Sequence, residues 1–287
     1  MTEAQESQPA GQESPHLEEH ERRQAAAAQP MAARVIHEVL REEGETELRR
    51  RLGALLWSGL AGGLSMGFSF LAMAMLEFKL GAAPAAKAIA PIGYAVGFLI
   101  VVLGKQQLFT ESTLTAALPI LHRPSLVGLG RLARMWGAVL VSNLVGTIIF
   151  AWLVSRPGLL SAGAAHIFLE TARGSFSDDF WLGALRAMFS GWLIALIIWL
   201  LPASKTAAPF IIAALTYVVA LAGFPHIIAG SGEAAYAVFV GAKSWADYGM
   251  WFLLPTLIGN TIGGTALAAL LNHAPVAHDI AAREAEG

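Results

Sequence analysis

The chain of 287 residues contains no cysteine. Disulfides, thiolate metal sites and cysteine nucleophiles are thereby excluded. Charge is scarce as well. Asp, Glu, Lys and Arg make up 14% of the residues against 55% hydrophobic ones, a balance that fits poorly with a water-soluble protein. The net charge is -2, and the scattered Lys and Arg form no aromatic-interleaved basic patch, so no nucleic-acid partner is expected. Residues 1–29 lack an apolar core of the length a signal peptide needs, so this polar tail is expected to be retained. His122, His166 and His273 stand apart from any set of metal-ligating side chains, and neither metal nor cofactor is expected.

What the sequence does have is long apolar runs, with a mean hydropathy of +0.56. Helical spans of about 20 residues cross a hydrocarbon layer about 30 Å thick. Runs that qualify lie near 52–76, 88–118, 130–154, 180–201, 207–240 and 249–272, which predicts an all-α, six-span membrane protein. The second and fifth runs are too long for one straight span, and each is interrupted. The second breaks at 104–113, where Lys105 and Glu111 stand among polar residues, and the fifth at 222–232, around Pro225 and His226. An ionisable residue at the centre of a span costs about 2.5–3.5 kcal/mol, so such groups face a protein interior, a partner or water. One break alone reads equally well as a kink or an aqueous loop. Two in corresponding places point to a binding or permeation site, because unpaired backbone at membrane depth is tolerated only within protein or along a wet cavity.

The correspondence extends further. The third run carries Asn143-Leu144-Val145-Gly146 and the sixth Asn260-Thr261-Ile262-Gly263, with Thr110 standing 33 residues before the first Asn and His226 34 before the second. Two halves of three spans must insert in opposite directions, giving an inverted 3+3 repeat with broken second and fifth helices. Lys and Arg near the span ends are richer on the side of the N-terminus, so both termini are expected in the cytoplasm. The organisation predicted is a disordered tail over 1–30, an amphipathic surface helix over 31–50 with Val35, Leu40 and Leu48 on its apolar side, a six-span domain over 51–273 and a cytoplasmic tail over 274–287.

Leu108-Phe109-Thr110-Glu111-Ser112, Ser142-Asn143-Leu144-Val145-Gly146, the 222–229 stretch around Phe224-Pro225-His226 and Gly259-Asn260-Thr261-Ile262-Gly263-Gly264 together resemble the signatures of the formate/nitrite transporter family. The resemblance covers about residues 45–273, with four motifs in the right order and spacing. It implies an aquaporin-like protomer in a homopentamer of the bacterial inner membrane, each protomer with its own pore for a small monovalent anion or its conjugate weak acid, such as formate, nitrite, hydrosulfide or a short carboxylate. It implies a mobile gating loop over 108–112, a Thr110–His226 hydrogen bond at the narrow midpoint, an inner constriction from Phe98 and Phe109 and an outer one from Tyr94 and Val219. The long tail and Lys105-Gln106-Gln107 set the chain apart from the dedicated formate and nitrite channels. So does the lack of the family's lysine before the fourth span, a place that Arg173 could fill.

These residue types suit an anion path. A bare anion in an apolar slit loses its hydration unless it is neutralised or given hydrogen-bond donors. Imidazole can lend a proton or donate, and Thr110, Asn143 and Asn260 offer further polar contacts. The plainer reading makes His226 a satisfied residue at a helix break; the paired breaks favour the functional one. For Asn143 and Asn260 helix packing comes first and support of the pore second. Arg186, inside the fourth run, either snorkels toward an interface or serves as counter-charge to Glu111. A neutral-solute facilitator and a non-conducting sensor or scaffold remain the alternatives. An enzyme built on His226 and Glu111 would lack a nucleophile, a metal cluster and a phosphate loop.

Overall fold

The computed structural model describes residues 15–27, 31–276 and 278, and the regular structure among them is helical throughout. The chain runs through α1 (Glu19–Ala27), α2 (Ala33–Leu48), α3 (Leu52–Leu80), α4 (Ala86–Leu103), α5 (Phe109–Thr115), α6 (Leu118–His122), α7 (Leu126–Val154), α8 (Ala162–Gly174), α9 (Phe180–Leu200), α10 (Ala208–Leu221), α11 (Ala229–Phe239) and α12 (Trp245–Val276). Five of these, α3, α4, α7, α9 and α12, are long and apolar enough to cross a membrane. The fifth expected span is divided: α10 has 14 residues, short of the bilayer core by itself, and α11 follows beyond the break. Most of the expected tails, residues 1–14 and 279–287, lie outside the described residues, and α1 occupies part of the stretch between.

The bundle is built on two extensive helix pairs, α3 against α7 and α9 against α12. In the first pair Gly63 and Gly146 let the backbones approach closely: a Cβ at Gly63 would run into the Asn143 carbonyl, and one at Gly146 would sit 2.6 Å from the Leu60 carbonyl oxygen. In the second, α12 carries Pro255, which cannot supply the amide hydrogen that the Trp251 carbonyl would accept in a regular helix. The helix widens to π geometry over Tyr248–Leu253, and the Trp251 carbonyl accepts from the Ser177 amide instead, at 3.0 Å.

Helix α2 lies on the bundle with Ile36, Leu40, Gly44 and Leu48 buried, spaced four apart along one stripe. Val35, read from the sequence as part of the apolar side, is exposed, and His37 takes a buried place beside Ile36. One turn after His37 the half-buried Arg41 bridges Glu38 and Glu45, and its hydrogen bond holds the Glu38 carboxyl below the usual range. Helix α8 falls where the sequence reading placed a connector. Ser161 caps it by accepting from the Ala164 amide, and Ala164, Phe168 and Ala172, again four apart, are its buried face.

Candidate functional site

Both interrupted helices stop in the same way. After α4, the Gln106 amide donates to the Val101 carbonyl and the Lys105 amide to Val102; after α10, Phe224 donates to Val219 and Gly223 to Ala220. Each is a Schellman stop, which requires a left-handed residue in the penultimate position. Gly223 meets this freely at φ 63°, whereas Lys105 adopts φ 52° with a side chain. Every member of the second stop lies 118 residues after its counterpart in the first.

Beyond each stop an asparagine binds the unwound backbone. Asn143 Oδ1 accepts from the Phe109 amide at 2.9 Å, while its Nδ2 donates to the carbonyls of Gln107 and of Gly59 on α3. Asn260 Oδ1 accepts from the Ile227 amide at 2.8 Å, and its Nδ2 donates to the carbonyls of Pro225 and of Ala187 on α9, with Ser190 Oγ as a further acceptor. Groups that a helix would satisfy are thus paired with a side chain from the next long helix, and both asparagines are wholly buried.

The ends of the two breaks meet. Thr110 Oγ1 and His226 Nε2 are 2.8 Å apart, and neither residue is exposed. The Ala229 amide donates to His226 Nδ1 at 3.2 Å. That bond leaves Nδ1 unprotonated, so in the neutral ring Nε2 carries the hydrogen and donates to Thr110. The Phe98 ring lies edge-on to the imidazole with centroids 5.1 Å apart, and Tyr94 lies 5.4 Å beyond Phe98.

Two cavities adjoin this contact, one lined by His226 and one by Glu111 next to Thr110. The larger, of about 460 Å³, lies under α2 and is lined by Glu43, Glu47, Lys105, Gln107, Leu108 and Glu111 among others. The smaller, of about 200 Å³, is lined by Tyr94, Ser175, Arg186, His226 and Glu233 together with apolar residues. Thr110 lines neither; its neighbour Glu111 lines the larger cavity and its partner His226 the smaller.

The remaining residues singled out from the sequence fall as follows. Phe109 packs on Trp136 at 6.0 Å between centroids, and Val219 is fully buried. Arg186 donates to the Gly223 carbonyl at 2.9 Å and lines the smaller cavity, whereas Glu111 lines the larger, so the two do not form a pair. Glu111 Oε1 is buried without a hydrogen-bond partner. Lys105 points outward 3.7 Å from Glu43 on α2, and Gln107 donates to Glu47 on the same helix at 2.9 Å. Arg173 is occupied by Glu170 at 2.9 Å on the surface of α8. Sequence reasoning passed over Glu233, a buried carboxylate on α11 to which Ser175 donates. The signal was available, since an acid inside an apolar stretch is the feature that drew attention to Glu111.

A bundle of apolar helices whose two broken members meet at a buried Thr–His contact between two cavities defines a polytopic membrane protein with an internal path. The chain belongs to the formate/nitrite transporter family, whose model matches residues 34–274. Over 255 residues it is 40% identical to the inner membrane protein YfdC of Escherichia coli, covering 88% of this chain and 81% of that protein. It is 28% identical over 201 residues to a probable formate transporter of Methanothermobacter thermautotrophicus, covering 62% and 71%. The fold is that of a family ion channel, with a TM-score of 0.71 at 19% identity over 82% of this chain and 96% of the other. A pentameric formate channel with formate bound aligns with a TM-score of 0.65 at 16% identity, over 77% and 95%.

Proposed function

We propose that the protein is a transmembrane pore for a small monovalent anion or its conjugate weak acid, with the path running from the larger cavity past Thr110 and His226 to the smaller. The observation that carries this reading is the Thr110–His226 contact itself, a buried polar pair in which His226 lines the smaller cavity and Thr110 adjoins Glu111 of the larger. In this reading α10 and α11 together make the fifth span, and the chain is an inverted 3+3 repeat. The constant offset of 118 residues between the two stops and the parallel work of Asn143 and Asn260 support it. Residues 51–273 form the channel domain, α2 lies on the cytoplasmic face with both termini on that side of a bacterial-type inner membrane, and protomers assemble as a homopentamer. The segment 108–112 serves as gate, and Phe98, Phe109, Tyr94 and Val219 narrow the path on either side of His226. This is transport rather than catalysis.

The test is flux in proteoliposomes over a panel of formate, acetate, nitrite, hydrosulfide, lactate and glycerol at several pH values, with the intact protein and His226→Asn. Selective weak-acid or anion flux, abolished or altered in pH dependence by His226→Asn, is the expected result. No flux of any solute from a correctly assembled oligomer would replace this reading with that of a sensor or scaffold. Glycerol passing while the anions do not would replace it with a neutral-solute facilitator.

A further inference from the structure

The smaller cavity contains a carboxylate that an anion path by itself does not call for. Glu233 is 8% exposed and lies three residues after Gly230 on the face of α11 that closes the cavity. Ser175, just beyond α8, donates its hydroxyl to Glu233 Oε2. Among the described residues Glu233 has no ion pair. The ionisable groups that share the cavity with it are Tyr94 from α4, Arg186 from α9 and His226; α3, α8 and α12 line it with uncharged side chains. Arg173 on α8 is turned to Glu170, and Lys243 lies 5.0 Å over the Phe176 ring.

A permanent negative charge in so small a vestibule would oppose the entry of an anion, at an effective dielectric far below that of water. A carboxylic acid in the same place is a proton donor aimed at the space the anion must cross. Arg186, tied to the Gly223 carbonyl at the edge of the second break, supplies the positive charge that draws the anion in.

On the basis of the pore reading above, we propose that Glu233 is the proton-exchange group of the smaller vestibule, so that the permeant class is the conjugate base of a weak acid rather than any small anion. The step is a simple transfer. The anion arrives at Arg186, the O–H bond of the Glu233 carboxyl breaks as a new O–H (or S–H) bond forms on the anion, and the neutral acid passes His226. Glu233, left as carboxylate, takes a proton from hydronium in the solvent on its own side, with Ser175 holding the carboxylate in place meanwhile. One anion and one proton enter together as the neutral acid, and anions of strong acids are excluded because they do not accept the proton.

The experiment compares formate and nitrate entry from the side of the smaller cavity into proteoliposomes holding the full chain, as wild type, Glu233→Gln and Glu233→Asp, from pH 5 to 8. Wild type should carry formate faster as the pH falls and carry no nitrate. Glu233→Gln should lower formate flux by about tenfold or more at its optimum and flatten the pH profile, while Glu233→Asp keeps the profile's shape. Nitrate flux equal to formate flux in wild type would overturn the proposal. So would a Gln variant with wild-type rate and profile, or Gln and Asp variants slowed alike with the profile unchanged, which is the mark of packing alone. Absence of all weak-acid flux in wild type would remove the pore reading itself, an outcome distinct from these.

Discussion

At the scale of single residues, the two helix stops differ in one respect with a measurable consequence. Gly223 takes its left-handed conformation without a Cβ, but Lys105 takes the equivalent one with a full side chain. Left-handed backbone costs an ordinary L-residue about 1–2 kcal/mol. Lys105 recovers little of this through its side chain, which is 81% exposed with Glu43 3.7 Å away. Lys105→Gly is therefore expected to stabilise the protein by about 1 kcal/mol, read as a higher midpoint in detergent-solubilised thermal unfolding. An unchanged or lower midpoint would show that Lys105 is held by interactions stronger than its contact with Glu43. Such a strained residue beside the larger cavity is also where function is often found, so flux should be measured on the same variant.

At the scale of elements, α2 is the helix whose attachment is expected to depend on protonation. His37 is buried on its inner side with Nε2 2.8 Å from Nδ1 of His273 near the end of α12, while its own Nδ1 has no partner. Burial first, then the neighbouring His273 ring, lowers the His37 pKa from 6.5 to about 4; Glu38 acts in the opposite sense, and His122 and Arg41 add to the lowering. A group whose pKa falls on docking favours the docked state when neutral. Attachment of α2 should be at full strength above about pH 6.5 and should weaken as the pH drops toward 4. Hydrogen-exchange protection over residues 33–48, corrected for the intrinsic amide rate at each pH, would report it, with lower protection at pH 4.5 than at pH 7.5 in wild type and a smaller difference in His37→Leu. Equal protection at both pH values would show that His37 does not govern the contact. Because α2 also holds Gln107 and Lys105 through Glu47 and Glu43, its release would free the edge of the larger cavity.

At the scale of the whole molecule, the outer surface carries large apolar side chains such as Trp57, Leu126, Trp181 and Phe210, each more than two-thirds exposed. Such a surface needs lipid or other protomers against it. The pentamer proposed here would have a protein mass about five times 30.4 kDa by native mass spectrometry. With one path per protomer, mixing wild-type and His226→Asn chains before assembly should lower flux in proportion to the variant fraction. A steeper, all-or-none loss would place the conducting path between protomers rather than within them.

The helical membrane class was legible in the sequence because it rests on run lengths: about 20 apolar residues leave a chain few other options in lipid. The breaks near 104 and 222 and the asparagines at 143 and 260 were legible for a related reason, since Gly, Pro and polar residues inside apolar runs have few places to go. Helix α8 was missed because its thirteen residues make an amphipathic rather than an apolar stretch, and the apolar side of α2 was misplaced at Val35 by one residue. Only the tertiary structure decided which polar groups share a space. It separated Arg186 from Glu111 and brought Arg186 into one cavity with Glu233. It set Ser175 against Glu233 across 58 residues of chain and His37 against His273 across 236. The physical reason is that burial against lipid depends on composition, which a chain carries along its length, whereas a hydrogen bond depends on distances that exist only after distant segments have packed.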